Sequence, residues 1–150
     1  MQVETTRFGQ LRVAEHQVIT FPRGLFAFDD CFRFVLLEKG ASPLGWLQSL
    51  EHGELAFVVI DPRLVFADYC PEVTRKELSM LGLSRLEEAA IRSIVTVPAC
   101  PRNMTVNLQA PLLIHPNTML AQQLISSHTD HALRQPLFAA LSAAKKKKTG

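Results

Sequence analysis

A succession of short, turn-bounded runs of β-branched and aromatic residues most restricts how this chain can fold. The clearest are Phe32–Glu38, Leu55–Ile60 and Ile91–Val97. Lys39-Gly40, Ser42-Pro43, Asp61-Pro62 and Pro98 punctuate them, and glycine or proline there stops a strand from continuing. Met104–Ala110 adds strict alternation: Met104, Val106, Leu108 and Ala110 against Thr105, Asn107 and Gln109. That period of two is the pattern of a strand with one buried face. Gln10–Val13, Gln17–Phe21, Pro111–His115 and Gln122–Ser126 read as shorter strands. About seven to nine short strands at close spacing predict a mainly β, single-domain barrel or roll. This domain is placed at residues 1–140.

One or two short helices interrupt the pattern. Thr74 can accept from a free amide while Glu77 reaches back to the Thr74 amide, a capping box. Val73 and Leu78 occupy the staple positions across it, Leu78 and Leu81 share a face, and Gly82 supplies a left-handed stop. This helix, Thr74–Leu81, is expected to be the longest or nearly so. Ser84-Arg-Leu-Glu87 repeats the box and predicts a second short turn.

The charge balance narrows the function classes. The 150 residues carry a formal charge of +2, but four of the sixteen basic residues are Lys145–Lys148. Without them the body has 12 basic against 14 acidic residues and only two lysines, Lys39 and Lys76. Residues 141–150 are expected as a disordered Lys-rich tail. An oligonucleotide-binding barrel would interleave aromatics with basic residues on one face, and only Phe32-Arg33-Phe34 has that look. Direct nucleic-acid binding, by a small β-barrel, is therefore the alternative reading rather than the favoured one. No apolar run approaches the roughly 18 residues of a membrane span. The Met1–Arg7 start lacks the basic and apolar regions of a signal peptide. A cytoplasmic location is expected, with Cys31, Cys70 and Cys100 as free thiols.

Catalytic constellations are not evident. There is no glycine-rich phosphate loop, no Gly-x-Ser-x-Gly elbow and no His-Glu-x-x-His. His128 and His131 supply at most two metal ligands, and Cys70 and Cys100 lie in no nucleophile motif, so both read as small packing residues. No catalytic residue, metal site or cofactor is assigned, and the chain is read as a non-enzyme. Two loops carry more information. Gly24–Asp30 joins Leu25, Phe26 and Phe28 to Asp29 and Asp30, and Leu64–Tyr69 joins Phe66 and Tyr69 to Asp68. Apolar anchors beside carboxylates suit a basic partner, because aromatics supply affinity and rim acids steer the encounter. Phe26 and Phe28 are assigned to closing the barrel end, whereas Phe66 and Tyr69 stand between that role and partner contact.

Specific short motifs then point to a family. Phe21-Pro-Arg-Gly24-Leu25, Phe34–Leu37, Leu47-Gln-Ser49, Leu55-Ala-Phe57 and Asp61-Pro62 resemble the flagellar assembly factor FliW family. Asn107-Leu-Gln-Ala-Pro111, Gln123-Leu124 and Arg134-Gln-Pro136-Leu137 continue the match, which spans residues 2 to 137. The chain departs at Gly24-Leu-Phe-Ala-Phe28, where the family often has Gly-Leu-Pro-Gly-Phe, and at His131, where an aromatic is common. The resemblance implies a cytoplasmic, non-enzymatic β protein that binds newly made flagellin and, alternatively, the RNA-binding translational regulator CsrA. Binding CsrA would relieve repression of flagellin translation. Asp68, Tyr69, Phe66, Asp29 and Asp30 are the residues expected to meet these partners.

Overall fold

The β-rich runs pair into antiparallel sheet in a computed structural model that describes residues 1–128 and 130–149, without the side chains of residues 145–149. The strands are β1 (Gln2–Thr5), β2 (Gly9–Arg12), β3 (Val18–Thr20), β4 (Arg33–Glu38), β5 (Leu44–Ser49) and β6 (Ala56–Ile60). After helix α1 (Arg75–Met80) come β7 (Ala90–Thr96), β8 (Thr105–Val106), β9 (Leu112–Ile114), β10 (Ala121–Gln123) and β11 (Gln135–Pro136). Helix α2 (Phe138–Thr149) follows. The main path runs β10-β9-β7-β6-β5-β4-β3. Its two ends meet through a parallel bridge between Thr20 and Leu120, where the Thr20 amide donates to the Met119 carbonyl at 2.9 Å. The main path thus closes on itself at this bridge, which covers its two end strands there, while β11 pairs with β8 on a side branch. β7 forks, its Ala90–Arg92 half pairing with β9 and its Val95–Thr96 end with β8, which in turn pairs with β11.

Alternation along each strand distributes apolar side chains between two cores, because successive residues point to opposite faces. Phe57, Val59, Ala90, Ile94, Leu112 and Ile114 join Phe21, Leu25, Phe34 and Leu47 in one cluster. Val58, Ile60, Ile91, Val95 and Leu113 face the other way and pack under Tyr69, Leu78, Leu81, Leu83 and Leu137. The β1–β2 hairpin adds a third contact, with Phe8 edge-on to Trp46 at 5.8 Å and the Thr6 amide donating to Gly53 at 3.0 Å.

The Thr74 box is formed as expected. The Glu77 amide donates to Thr74 Oγ1 at 3.1 Å and Thr74's amide donates to Glu77 Oε1 at 2.9 Å. Gly82, at φ 74°, turns the chain so that the Leu83 amide reaches the Leu78 carbonyl at 2.9 Å. The second short turn forms at Leu86–Glu88, but the Ser84–Glu87 box does not: the Arg85 amide donates to Glu88 Oε1 at 3.0 Å, and the arginine side chain has no acceptor to return the bond.

Two expectations are corrected and one strand is added. Met104–Ala110 keeps its alternating burial, yet only Thr105–Val106 is strand. Asn107 Oδ1 accepts from the amides of Gln109 and Ala110 at 3.0 and 2.9 Å, an Asx turn that diverts the backbone from the ladder. β5 adds a strand that carries no clear local signal, because Gly45 and Gln48 break its apolar run, although Gln48 is fully buried. Finally α2, with 12 residues, is longer than the six-residue α1. Residues 141–144, placed by sequence in a loose tail, lie in this helix, and Leu141 packs against the core with its amide on Leu137 O at 2.9 Å. The expectation of a solvated Lys145–Lys148 run falls on side chains outside the described residues.

Candidate partner-binding surface

The two loops singled out in the sequence have different structures. After Gly24 the chain makes a tight turn in which the Phe28 amide donates to the Leu25 carbonyl at 2.8 Å and the Leu25 amide to Phe28 at 3.1 Å. Gly24 is at φ 68°, and a Cβ there would meet Asp29 Cα and the Phe28 carbonyl oxygen at 2.7 Å. Ala27 sits at φ 70°, a conformation that costs a residue with a Cβ about 1–2 kcal/mol. Phe28 turns inward and meets Phe57 edge-on at 5.2 Å, closing the barrel end as expected. Phe26 does not. It stands 51% exposed at the turn tip, its amide held by Gln123 Oε1 at 2.8 Å. Asp29 and Asp30 follow, both exposed.

The Leu64–Tyr69 loop resolves the other way. Tyr69, expected to offer its ring to a partner, is 6% exposed and belongs to the core under α1. Its hydroxyl donates to the Leu108 carbonyl at 2.7 Å, and its ring lies 4.7 Å from that of His131. Burial, reinforced by the neighbouring Cys70, pushes its phenol well above the usual tyrosine range. Phe66 is half-buried against the same core, whereas Asp68 is exposed. This loop therefore presents a carboxylate over a structural aromatic base.

A third segment, not singled out in the sequence, completes an acidic face. The β5–β6 connection carries Glu51, His52 and Glu54 beside Asp30. Glu51 Oε1 accepts from the amides of Phe32 and Arg33 at 2.6 and 2.7 Å, which ties this connection to the start of β4. His52 Nε2 lies 3.8 Å from Asp30 Oδ2 and its Nδ1 lies 3.8 Å from Glu54 Oε1. Among the described residues, His52 is the one basic side chain within ion-pair distance of Asp30 and of Glu54. Phe32, 38% exposed, stands at the same place. The buried Gln48 amide organises the connection from below, donating to the carbonyls of Ser49, Gly53 and Leu55 at 2.9, 3.1 and 3.1 Å. Sequence order hides this face, because its acids come from two loops joined only by strand register. Pairing of Phe34 with Ser49 is what brings them together.

The remaining candidates fall outside this face. His128 and His131 stack at 4.4 Å, and His131 Nδ1 is 2.8 Å from Ser126 Oγ. Burial and the adjacent His128 lower the His131 pKa. Cys70 and Cys100, expected to pack, are exposed, the first just after the 67–68 turn and the second at the cap of the short 101–103 helical turn; Cys31 is the buried thiol.

Comparison with known proteins agrees with this architecture. A family model described as FliW protein matches residues 2–137. This chain belongs to the FliW family. It is 40% identical over 139 residues to the flagellar assembly factor FliW of Geobacter sulfurreducens, covering 92% of this chain and 87% of that one. With the Natranaerobius thermophilus FliW it shares 39% identity over 140 residues, covering 92% and 93%. A crystal structure of the flagellar assembly factor FliW superimposes with a TM-score of 0.84 at 29% identity, over 92% of this chain and 97% of the other. Among the described residues, no helix of this FliW-family chain is long and apolar enough to cross a membrane.

Proposed function

We propose that this FliW-family protein is a cytoplasmic, non-enzymatic partner switch that binds newly made flagellin and, alternatively, CsrA. While flagellin is scarce the protein sequesters CsrA, and flagellin translation proceeds. Accumulating flagellin captures the protein and releases CsrA to repress again. One observation carries the choice of surface: Asp30 and Glu54 flank His52, Glu51 accepts from the amide of the exposed Phe32, and Asp29 precedes Asp30 in the same exposed loop. Clustered carboxylates raise the encounter rate with a basic RNA-binding protein, and an exposed aromatic beside Glu51 supplies apolar contact. Asp68, above half-buried Phe66, is a second contact point; Tyr69 supports it from within.

Calorimetric titration of the purified protein with CsrA and with flagellin tests this reading. Asp29→Lys combined with Glu54→Lys should weaken CsrA binding tenfold or more, with a loss that shrinks as salt is added. Asp68→Lys should have a smaller effect. Unchanged CsrA affinity in the folded double variant would place the interface elsewhere, and no binding of either partner by the parent protein would end the reading.

A further inference from the structure

The loop before β4 and the β5–β6 connection bring three different metal-ligating groups to one point. Cys31 Sγ lies 3.6 Å from Asp30 Oδ1, Asp30 Oδ2 lies 3.8 Å from His52 Nε2, and one ligand atom from each residue falls within 4.8 Å of the others. In a tetrahedral zinc site, bond lengths of about 2.0–2.3 Å put sulfur and oxygen about 3.6 Å apart and nitrogen and oxygen about 3.3 Å apart. The Cys31 Sγ–Asp30 Oδ1 separation already meets this spacing; the half-exposed His52 ring, 3.8 Å from Oδ2 and within 4.8 Å of the other donors, must move inward by roughly half an ångström or more to share one ion with them.

We propose that Asp30, Cys31 and His52 form a binding site for a borderline-soft divalent cation of the zinc class, with its fourth position open to water. The donor set selects this class. A thiolate and an imidazole disfavour magnesium and calcium, which take oxygen ligands, and favour zinc or cobalt. The surroundings supply what an outer shell provides. Glu54 Oε1 lies 3.8 Å from the second nitrogen of His52, beyond hydrogen-bond distance but on the side where an outer carboxylate would orient an imidazole ligand. The His52 amide donates to Ser49 Oγ at 3.0 Å, and Gln48 holds the carbonyls on either side, so the ring is presented on a fixed loop. Cys31 forms the floor of the site and Asp30 its exposed rim. Without a cation, burial and the carboxylates of Asp30, Glu51 and Glu54 push the thiol up to about 11. A divalent ion reverses that balance. The thiol proton leaves to solvent as the sulfur–metal bond forms, and thiolate and Asp30 together neutralise the two positive charges.

Titration of the reduced full-length protein with Co2+ at neutral pH reads the site directly. One equivalent should bind with a thiolate-to-cobalt charge-transfer band, release about one proton per ion and be displaced by Zn2+. His52→Ala and Asp30→Asn, at a half-exposed and an exposed position, should weaken binding tenfold or more in protein that still melts cooperatively. Cys31→Ser should abolish the band, while Cys70→Ser and Cys100→Ser should leave it unchanged. The proposal is overturned if the folded parent gives no thiolate band. It is equally overturned if folded His52→Ala binds Co2+ as tightly as the parent, or if the band is lost with Cys70 or Cys100; binding without a band, as at His128 and His131, also counts against it.

Discussion

Replacing Tyr69 separates a structural aromatic from a partner anchor. Tyr69→Phe keeps the ring and removes the hydroxyl that reaches Leu108 O at 2.7 Å across 39 residues of chain. That strands a buried carbonyl, which costs about 1–2 kcal/mol. At this chain length about 1 kcal/mol moves the melting temperature by about 2–4 °C, so a fall of roughly 2–8 °C is expected. Tyr69→Ala also empties ring volume beneath α1, at about 3–5 kcal/mol, and should lower melting by 6 °C or more. Differential scanning calorimetry measures both. A second readout comes from the chain having a single tyrosine. Its phenol is raised above its unfolded value near 10 by burial, so the native state holds the proton that the unfolded state releases. Tyr69 therefore contributes stability that is complete below pH 10 and declines as pH rises above it. Tyrosinate absorbance should accordingly appear together with loss of near-ultraviolet circular dichroism, not before it. Tyr69→Phe with unchanged melting and weaker CsrA binding would refute this account and return Tyr69 to the surface.

Ala27→Gly should raise stability by about 0.5–1 kcal/mol, because relief at φ 70° exceeds the extra freedom glycine gives the unfolded chain; a lower melting temperature would contradict it. With a chelator present, a thiol reagent should modify Cys70 and Cys100 quickly and Cys31 only slowly, the slow thiol accelerating in denaturant. Three equally fast thiols would show that Cys31 is accessible. Burial and His128 depress the His131 pKa against the opposing Asp130 and Glu72, so its contribution is complete above the ordinary imidazole value near 6.5 and lost as pH falls below it. His131→Gln should thus narrow the gap in melting temperature between pH 7 and pH 5, measured by calorimetry, and a widened gap would reverse the sign of the argument.

Strand content, the capped helix and family membership were legible in the sequence because each rests on local chemistry. The β-branched and aromatic run from Phe32 to Glu38, the Thr74–Glu77 reciprocity and the Gly82 stop act within a few residues. α2 was not legible, since its alanine and lysine residues carry no apolar stripe; neighbouring packing of Leu137 and Leu141 anchors it to the core. The candidate surface divides the same way. Exposure of Asp29, Asp30 and Asp68 followed from their charge and loop position, as desolvating a carboxylate is costly. Whether Tyr69 faces a partner or the core depended on a carbonyl far along the chain, and the meeting of Asp30 and Cys31 with His52 depended on β4–β5 register. Local sequence carries turn and strand preference, but register and burial arise only when distant segments exclude water from one another, and those decided which loop is scaffold and which is surface.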